Sequence, residues 1–385
     1  MKIVMASDKF KGTLTGAEVA HAMTLGLQKV LPDVHTLTVP VADGGEGTVE
    51  AALAAGYTAQ QVTVTGPTGQ PVVAVYARHQ DSAVIEMAAA SGLEVLPQGR
   101  KSPLTATSYG TGELISHALA AGARQIVLGV GGSATTDAGA GMLQALGVSL
   151  QDQQGNELPG GGAALADLAR IELSNLNSAL KQVNIVLAAD VDNPLTGPNG
   201  AAAIFGPQKG ANPEQVKQLD AALGHFAQLL EQQLDNSFQN IPGAGAAGGM
   251  GYAAMALLAA ERRRGIDVVL ELTGLAEALV GADAVITGEG SLDTQSLEGK
   301  TPIGVSEMAF AQGVPVYAIC GRTTLGQDQL RNAGIRHTVA LVDLVADPAE
   351  AMTRSAELVT QAAERLGAII TAEHAEHAAG SVGSH

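Results

Sequence analysis

QIVLGVGGSATTDAGAG, residues 125–141, is the stretch on which the fold class turns. An apolar, β-branched run (QIVLGV, 125–130) reads as a strand and breaks into a glycine-crowded loop. A helical pattern follows over 138–146. Strand, loop, helix is the grammar of a parallel sheet. Glycines at such a turn allow close approach of the backbone to a ligand or to another segment. Between them stand Ser133, Thr135, Thr136 and Asp137.

The same grammar extends outward in both directions. KIVMAS (2–7) leads to a helix over 15–31, which Thr15 caps with Glu18 three residues on. HTLTVPVA (35–42) runs through DGGEG into a helix over 47–55. A helix over 106–121 precedes the opening strand, and NIVLAAD (184–190) is a further strand. An amphipathic helix spans 213–235. Strands at 283–287, 314–319 and 335–342 alternate with helices at 302–312, 327–333 and 348–367. Residues 61–87 depart from this rhythm. VTVTG, PVVAVYA and SAVIEMA leave almost no room for helices and predict an antiparallel meander, with a domain boundary near 66. DQQGNELPGGGAAL (152–165) is a polar excursion. IPGAGAAGGMG (241–251) is a second glycine-rich loop, read equally as tight packing or as phosphate or adenosine contact. The tail, 371–385, is small and polar and is expected to be disordered.

The 385 residues suffice for two domains. Aromatics are 3 % and Trp is absent, so Ala, Val, Leu and Ile must build the core. Twenty-one Lys and Arg against 38 Asp and Glu give a net charge of −17, which argues against nucleic acid and anionic membranes as partners. Cys320 is the single cysteine, so no intrachain disulfide can form. With no signal-like or spanning apolar run, the expected location is cytoplasmic.

Acids recur at the ends of strands: Asp8, Asp43 with Glu46, Glu86, Asp190 with Asp192, and Glu289 with Asp293. One such acid is usually a helix cap. Five such ends beside glycine-rich loops suit Mg²⁺ and nucleotide phosphates, because Mg²⁺ takes oxygen ligands. Two look-alikes compete. Gly129-Val-Gly131-Gly-Ser-Ala134 fits G-x-G-x-x-A, with Asp152 about 20 residues on, as in dinucleotide binding. Hydroxyls and exposed N–H groups suit a phosphoryl group equally well. Glu298-Gly-Lys300-Thr301 imitates the end of a P-loop, but Thr294 stands where its first glycine belongs. Lys300 at a helix start still offers a point charge to a phosphate. Ser108 and Tyr109, in TSYGTGEL, read as a helix cap or as substrate contacts. No Ser-His-Asp order, H-E-x-x-H or C-x-x-C is present. Glycine nests, acids and a few lysines (Lys9, Lys11, Lys209, Lys300) remain, and they describe a phosphoryl-transfer site.

These segments together resemble the bacterial glycerate kinases of the first type, the glycerate 2-kinases, over about residues 1–370. The resemblance rests on SDKFKGTLT (7–15), VPVADGGEGT (39–48), VTGPTGQPV (64–72), VIEMAAASGL (84–93), TSYGTGEL (107–114), GVGGSATTDAGAGM (129–142), DVDNPLTGPNGAA (190–202), FGPQKGA (205–211), PGAGAAGGMG (242–251) and TGEGSLDTQSLEGKTPIGV (287–305). It implies transfer of the ATP γ-phosphoryl to D-glycerate with Mg²⁺, giving 2-phosphoglycerate. It also implies an α/β fold of two domains with the active site in the cleft. A Rossmann- or flavodoxin-like parallel-sheet domain would come from both chain ends (1–66 plus 281–370) and a second α/β domain from the middle (67–280). Lys9 and Ala138 depart from the family pattern, where a hydroxyl and a glycine are common.

Within that reading Gly131, Gly132, Ser133, Thr135 and Thr136 would cradle the ATP phosphates, with Asp137, Gly288 and Lys300 on the same cofactor side. Asp43, Glu289 and Asp293 would hold Mg²⁺. Asp190, or alternatively Asp43, would be the base, and Lys9, Lys11 or Lys300 would meet the glycerate carboxylate. Asp8, Glu46, Asn193 and Ser108 complete the expected substrate contacts. A homodimer is one expected assembly. A kinase for another hydroxy acid, a nicotinamide-dependent oxidoreductase and a non-catalytic acid-binding protein are the alternatives.

Overall fold

A computed structural model describes residues 1–97 and 100–382. The chain divides into two compact units, residues 1–43 with 269 onward, and residues 44–268.

The unit made from the chain ends carries a five-stranded sheet, parallel throughout. Its order is Ile335–Ala340, Val316–Thr323, Ala284–Leu292, Lys2–Ser7, His35–Thr38. From Lys2–Ser7 the chain winds one way, and from Ala284–Leu292 it winds the other. The order therefore reverses between these two central strands. In open parallel sheets such a reversal opens a crevice at the carboxyl ends, where ligands bind. The first helix, Gly16–Val30, starts at the expected capping box, with the Thr15 hydroxyl accepting from the Glu18 N–H. It packs along Ser355–Val382. A Cβ on Gly26 would stand 2.1 Å from the Thr360 carbonyl oxygen, so only glycine permits this crossing.

The middle unit holds a six-stranded sheet in the order Glu261–Arg263, Asn184–Ala188, Gln125–Gly129, Ser82–Glu86, Pro71–His79, Thr58–Thr65. The first four strands are parallel, and the last two form an antiparallel edge. The parallel strands end on one row, Glu86, Gly129, Ala188 and Arg263 being mutual register partners. Its core is rich in Ala, Leu and Ile around Tyr76, Phe226 and Tyr252.

Three expectations need correction. The division between units falls at Asp43/Gly44 and Val268/Val269, rather than at 66 and 280. Thr58–Thr65 pairs along its whole length with Pro71–His79, which ties the preceding residues to the middle unit. Leu275–Leu279 packs on Lys2–Ser7, and the Lys2 ammonium donates to the Val280 carbonyl. The tail is not disordered through its described part: the last helix continues to Val382, while 383–385 lie outside the described residues. Ala and Glu, which dominate 372–379, are strong helix formers. Finally, the strand at Ala284–Leu292 outruns its expected end at 287 and so carries Glu289 within the sheet.

Candidate active site

At the sheet reversal of the first unit, Asp8 leaves the strand Lys2–Ser7 with its N–H on the Gly288 carbonyl, at 2.9 Å. Its carboxylate accepts the Lys9 N–H (2.7 Å) and the Thr301 hydroxyl (3.3 Å). Thr301 opens the helix Thr301–Ala311, whose cap residue is Lys300. Burial, and then repulsion from Asp43, push the Asp8 carboxyl up to about 6. On the neighbouring strand, burial pushes Glu289 up to about 7. Asp8 and Asp293 add to this, while Ser296 and Lys300 oppose it. The Oε1 atom of Glu289 is buried and makes no hydrogen bond among the described residues. Four carboxylates thus share one field with Lys9 and Lys300.

Asp293 accepts the Gln295 N–H and donates its own N–H to Ser296 Oγ, which closes a tight turn. Among the described residues no three His, Cys, Asp or Glu side chains gather as a ready-made metal cage. Asp43, Glu289 and Asp293 therefore do not form a closed ligand set. Mg²⁺ needs only one or two carboxylates when phosphates and water complete its shell. Mutual repulsion among these acids is what a bound cation relieves, so the donor set fits the ion. Gly288 is buried, and a Cβ there would come within 2.1 Å of the Ile319 carbonyl. That close approach within the sheet accounts for a glycine at this position. Lys11 is exposed beside Gly12.

In the middle unit, loops stack on the row where the parallel strands end. Glu86 accepts the N–H groups of Gly47 (3.0 Å) and Val49 (2.7 Å), capping the helix Thr48–Ala54 and pinning the loop Gly44–Gly47. A Cβ on Gly44 would lie 2.2 Å from Gly265 Cα, and one on Gly131 would lie 2.8 Å from Gly45 Cα. Asp190 is exposed, and its Oδ1 accepts the Gly265 N–H at 2.7 Å, at the start of Gly265–Leu272. Asp192 pairs with Arg262 at 2.6 Å. Asn193 spends its side-chain amide on the Asn199 carbonyl. Glu46 is exposed at the tip of its loop.

The glycine-rich loop 129–141 splits into two parts. Gly132 is exposed with φ +69°, and Gly131 is half-buried. The rest turns inward. Ser133 is 7 % exposed, and Thr135, Thr136 and Asp137 are fully buried. Asp137 accepts from the Ser108 N–H and hydroxyl (2.8 Å each), from Gly139 N–H and from Gly141 N–H. Ser108 is itself fully buried and accepts the Met142 N–H. Ser108 is thus a strut of the loop, not a substrate contact. Thr135, Thr136 and Asp137 shape the loop from beneath instead of presenting groups to phosphate.

The second glycine-rich stretch packs directly on this buried part. The Ala138 N–H donates to the Gly248 carbonyl, and a Cβ on Gly248 would reach 2.0 Å from the Thr135 carbonyl oxygen. A Cβ on Gly139 would lie 2.6 Å from Ala253 Cβ, and one on Gly249 2.7 Å from Ala138 Cα. Positive φ at Ala138, Gly139, Ala247, Gly248 and Gly249 lets the two backbones interlock. The tight-packing reading of 241–251 holds here. A residue whose burial the sequence did not signal joins them: Lys209, 1 % exposed, donates its ammonium to the Thr135 carbonyl at 2.6 Å.

The dinucleotide reading of Gly129–Ala134 fails on topology. The strand Ser149–Gln151 pairs antiparallel with Arg170–Glu172 in a separate two-stranded sheet. Asp152 closes a turn through the N–H groups of Gln154 and Asn156, so it cannot serve a ribose beside Gln125–Gly129.

A sequence profile of the glycerate kinase family matches residues 3–371. A glycerate kinase of Bacillus subtilis (strain 168) is 46 % identical over 96 % of this chain and 98 % of its own length. A glycerate 2-kinase of Escherichia coli (strain K12) is 45 % identical over 96 % and 98 %. A crystal structure from Salmonella typhimurium LT2, named as a candidate glycerate kinase 2, superposes with a TM-score of 0.86 at 44 % identity. That match covers 97 % of this chain and 99 % of the other. The chain belongs to the glycerate kinase family.

Proposed function

We propose that this protein transfers the γ-phosphoryl of ATP to the 2-hydroxyl of D-glycerate. The observation that carries the reading is the constellation at the sheet reversal: Asp8 just past the strand Lys2–Ser7 and Glu289 on Ala284–Leu292, with Lys300 and Thr301 at the start of the helix Thr301–Ala311. A hydroxyl acceptor needs a group that takes its proton near neutral pH. Glu289 fits, held at about 7 with a buried oxygen free of hydrogen bonds among the described residues. Asp190, the acid favoured from the sequence, has one carboxylate oxygen committed to the Gly265 N–H. We therefore assign the base to Glu289. Lys300, with Lys9 and Lys11 nearby in sequence or field, is assigned to the glycerate carboxylate.

Gly131 and Gly132 are assigned to the ATP phosphates, since they are the part of their loop that reaches the surface. Asp43 and Asp293 would meet Mg²⁺, with Asp8 beside them. The ion, when bound, neutralises charge on phosphate oxygens. In a transfer whose cost is mostly electrostatic, the chain's own part is to orient the acceptor, remove its proton and hold the phosphates still.

No described helix is long and apolar enough to cross a membrane. We place the enzyme in the cytoplasm and take a homodimer as its assembly, which sedimentation would check. Phosphorus NMR of the product from Mg²⁺-ATP and D-glycerate tests the reaction. A 2-phosphoglycerate signal is expected. A 3-phosphoglycerate signal would overturn the acceptor assignment, and no product would overturn the substrate.

A further inference from the structure

The buried half of the glycine-rich loop is held from several sides. Its Ala134 N–H donates to the Ser91 carbonyl, and the Leu93 N–H donates to Gly132. Asp137 gathers Ser108, Gly139 and Gly141, and Gly248 takes the Ala138 N–H. Apart from the Ser108 hydroxyl on the Asp137 carboxylate, these are contacts made by backbone N–H groups. The Lys209 ammonium is different: it arrives from the turn Pro207–Lys209 and is enclosed by protein. It ends on a main-chain carbonyl at Thr135, within the field of Asp137. A lysine loses solvation and side-chain freedom when enclosed this way, and burial lowers its pKa to about 7. A methionine of similar length would fill the same space without that cost. The chain nevertheless keeps a long hydrogen-bond donor under this particular peptide group. Thr135 and Thr136 hydroxyls beside it make no hydrogen bonds among the described residues, so they do not hold the peptide in place.

We infer that Lys209 is a positioning residue for the phosphate loop: by fixing the Thr135 carbonyl inward, it sets the direction of the Gly131–Gly132 backbone N–H groups. The inference rests on assigning those two glycines to ATP phosphates. Lys209 is enclosed by protein and is assigned to neither substrate. Its effect travels through Ser133 and Ala134, the two residues between Gly132 and Thr135, a stretch anchored by backbone hydrogen bonds.

The test compares Lys209→Met with Gly132→Ala in the full chain, with KM for ATP, KM for D-glycerate, kcat and the urea unfolding midpoint measured for each. Lys209→Met is expected to raise KM for ATP about tenfold or more, while KM for glycerate stays within twofold. A purely structural lysine would instead lower the unfolding midpoint and leave both KM values of the folded enzyme unchanged, which overturns the inference. Gly132→Ala separates the two levels. If it leaves KM for ATP unchanged, the phosphate assignment fails. If it raises KM for ATP and Lys209→Met does not, the Lys209 inference alone fails. Should Lys209→Met not fold, Lys209→Arg keeps the charge beside Asp137 but presents it through a longer planar group. It is expected to raise KM for ATP at least threefold, and an unchanged value refutes the positioning role.

Discussion

Replacing Glu289 by Gln keeps the shape of the side chain and removes one charge from the field of Asp8 and Asp293. Its carboxyl is held at about 7 in the fold, against 4.5 for an ordinary glutamate. A raised carboxyl pKa means that the folded state prefers the protonated form. The associated stability is fully present below about 4.5 and is lost as pH climbs through about 7. At 1.36 kcal/mol per unit, ionised Glu289 costs the fold about 1 kcal/mol at pH 5 and about 3 kcal/mol at pH 8, as upper values. Water reaching the partly exposed site would bring the larger figure nearer 2 kcal/mol. Glu289→Gln is therefore expected to raise stability, by a margin that widens with pH. Its kcat should fall by about 100-fold or more if the side chain is the base. Urea unfolding at pH 5, 6.5 and 8 reads the first effect and coupled ADP release reads the second. A stability difference that does not change with pH, or a variant less stable than the parent at pH 8, would refute the electrostatic account. Near-parental kcat would refute the base.

Other perturbations probe the rest of the architecture. Asp190→Asn should keep kcat within about fivefold, since an asparagine oxygen can still accept the Gly265 N–H. A hundredfold loss in steady-state turnover would return the base to Asp190. Gly248→Ala, at φ +69° and 2.0 Å from the Thr135 carbonyl, should destabilise the protein by about 3 kcal/mol or more in urea titrations. A loss below 1 kcal/mol would mean that the two glycine-rich stretches do not interlock. Thr15→Ala removes the cap of the first helix and should cost about 1 kcal/mol, with no change in KM for either substrate.

Much of this was readable from the residues because the signals were local. Period and capping placed the helix Gly16–Val30 within a residue or two of its ends, and the closely spaced apolar runs of 61–87 gave the antiparallel edge. Acids at strand ends pointed to Asp8 and Glu289, although not to their raised pKa values, which depend on burial and on neighbours far away in sequence. Glycine was the least informative letter. It announces that something comes close without saying what. In GVGGSATTDAGAG the visitor at Gly131 is the Gly45 backbone, and at Gly139 it is Ala253. Read alone, hydroxyls and an acid among glycines suggested a phosphate cradle, yet Thr135, Thr136 and Asp137 face the interior. Lys209 stands out in the sequence as one of a few lysines beside glycine-rich segments, but nothing in the sequence shows that it is enclosed, because a buried lysine looks like any other there. In the tail two signals compete: small polar residues suggest disorder, while Ala and Glu favour helix, and the helix prevails as far as Val382.

The strand Lys2–Ser7 is an inner strand of its sheet, with His35–Thr38 on one side and Ala284–Leu292 on the other. The first neighbour leaves the ribosome soon after it. The second follows only after the whole middle unit has been made, roughly 14–55 s later at about 5–20 residues per second. Throughout that interval Ile3, Val4, Met5 and Ala6, all buried in the finished protein, have one unpaired edge. The middle unit, continuous in sequence from 44 to 268, can complete itself meanwhile. The order of synthesis thus runs against the order of pairing for residues 1–43, which stay one neighbour short until Ala284–Leu292 is made.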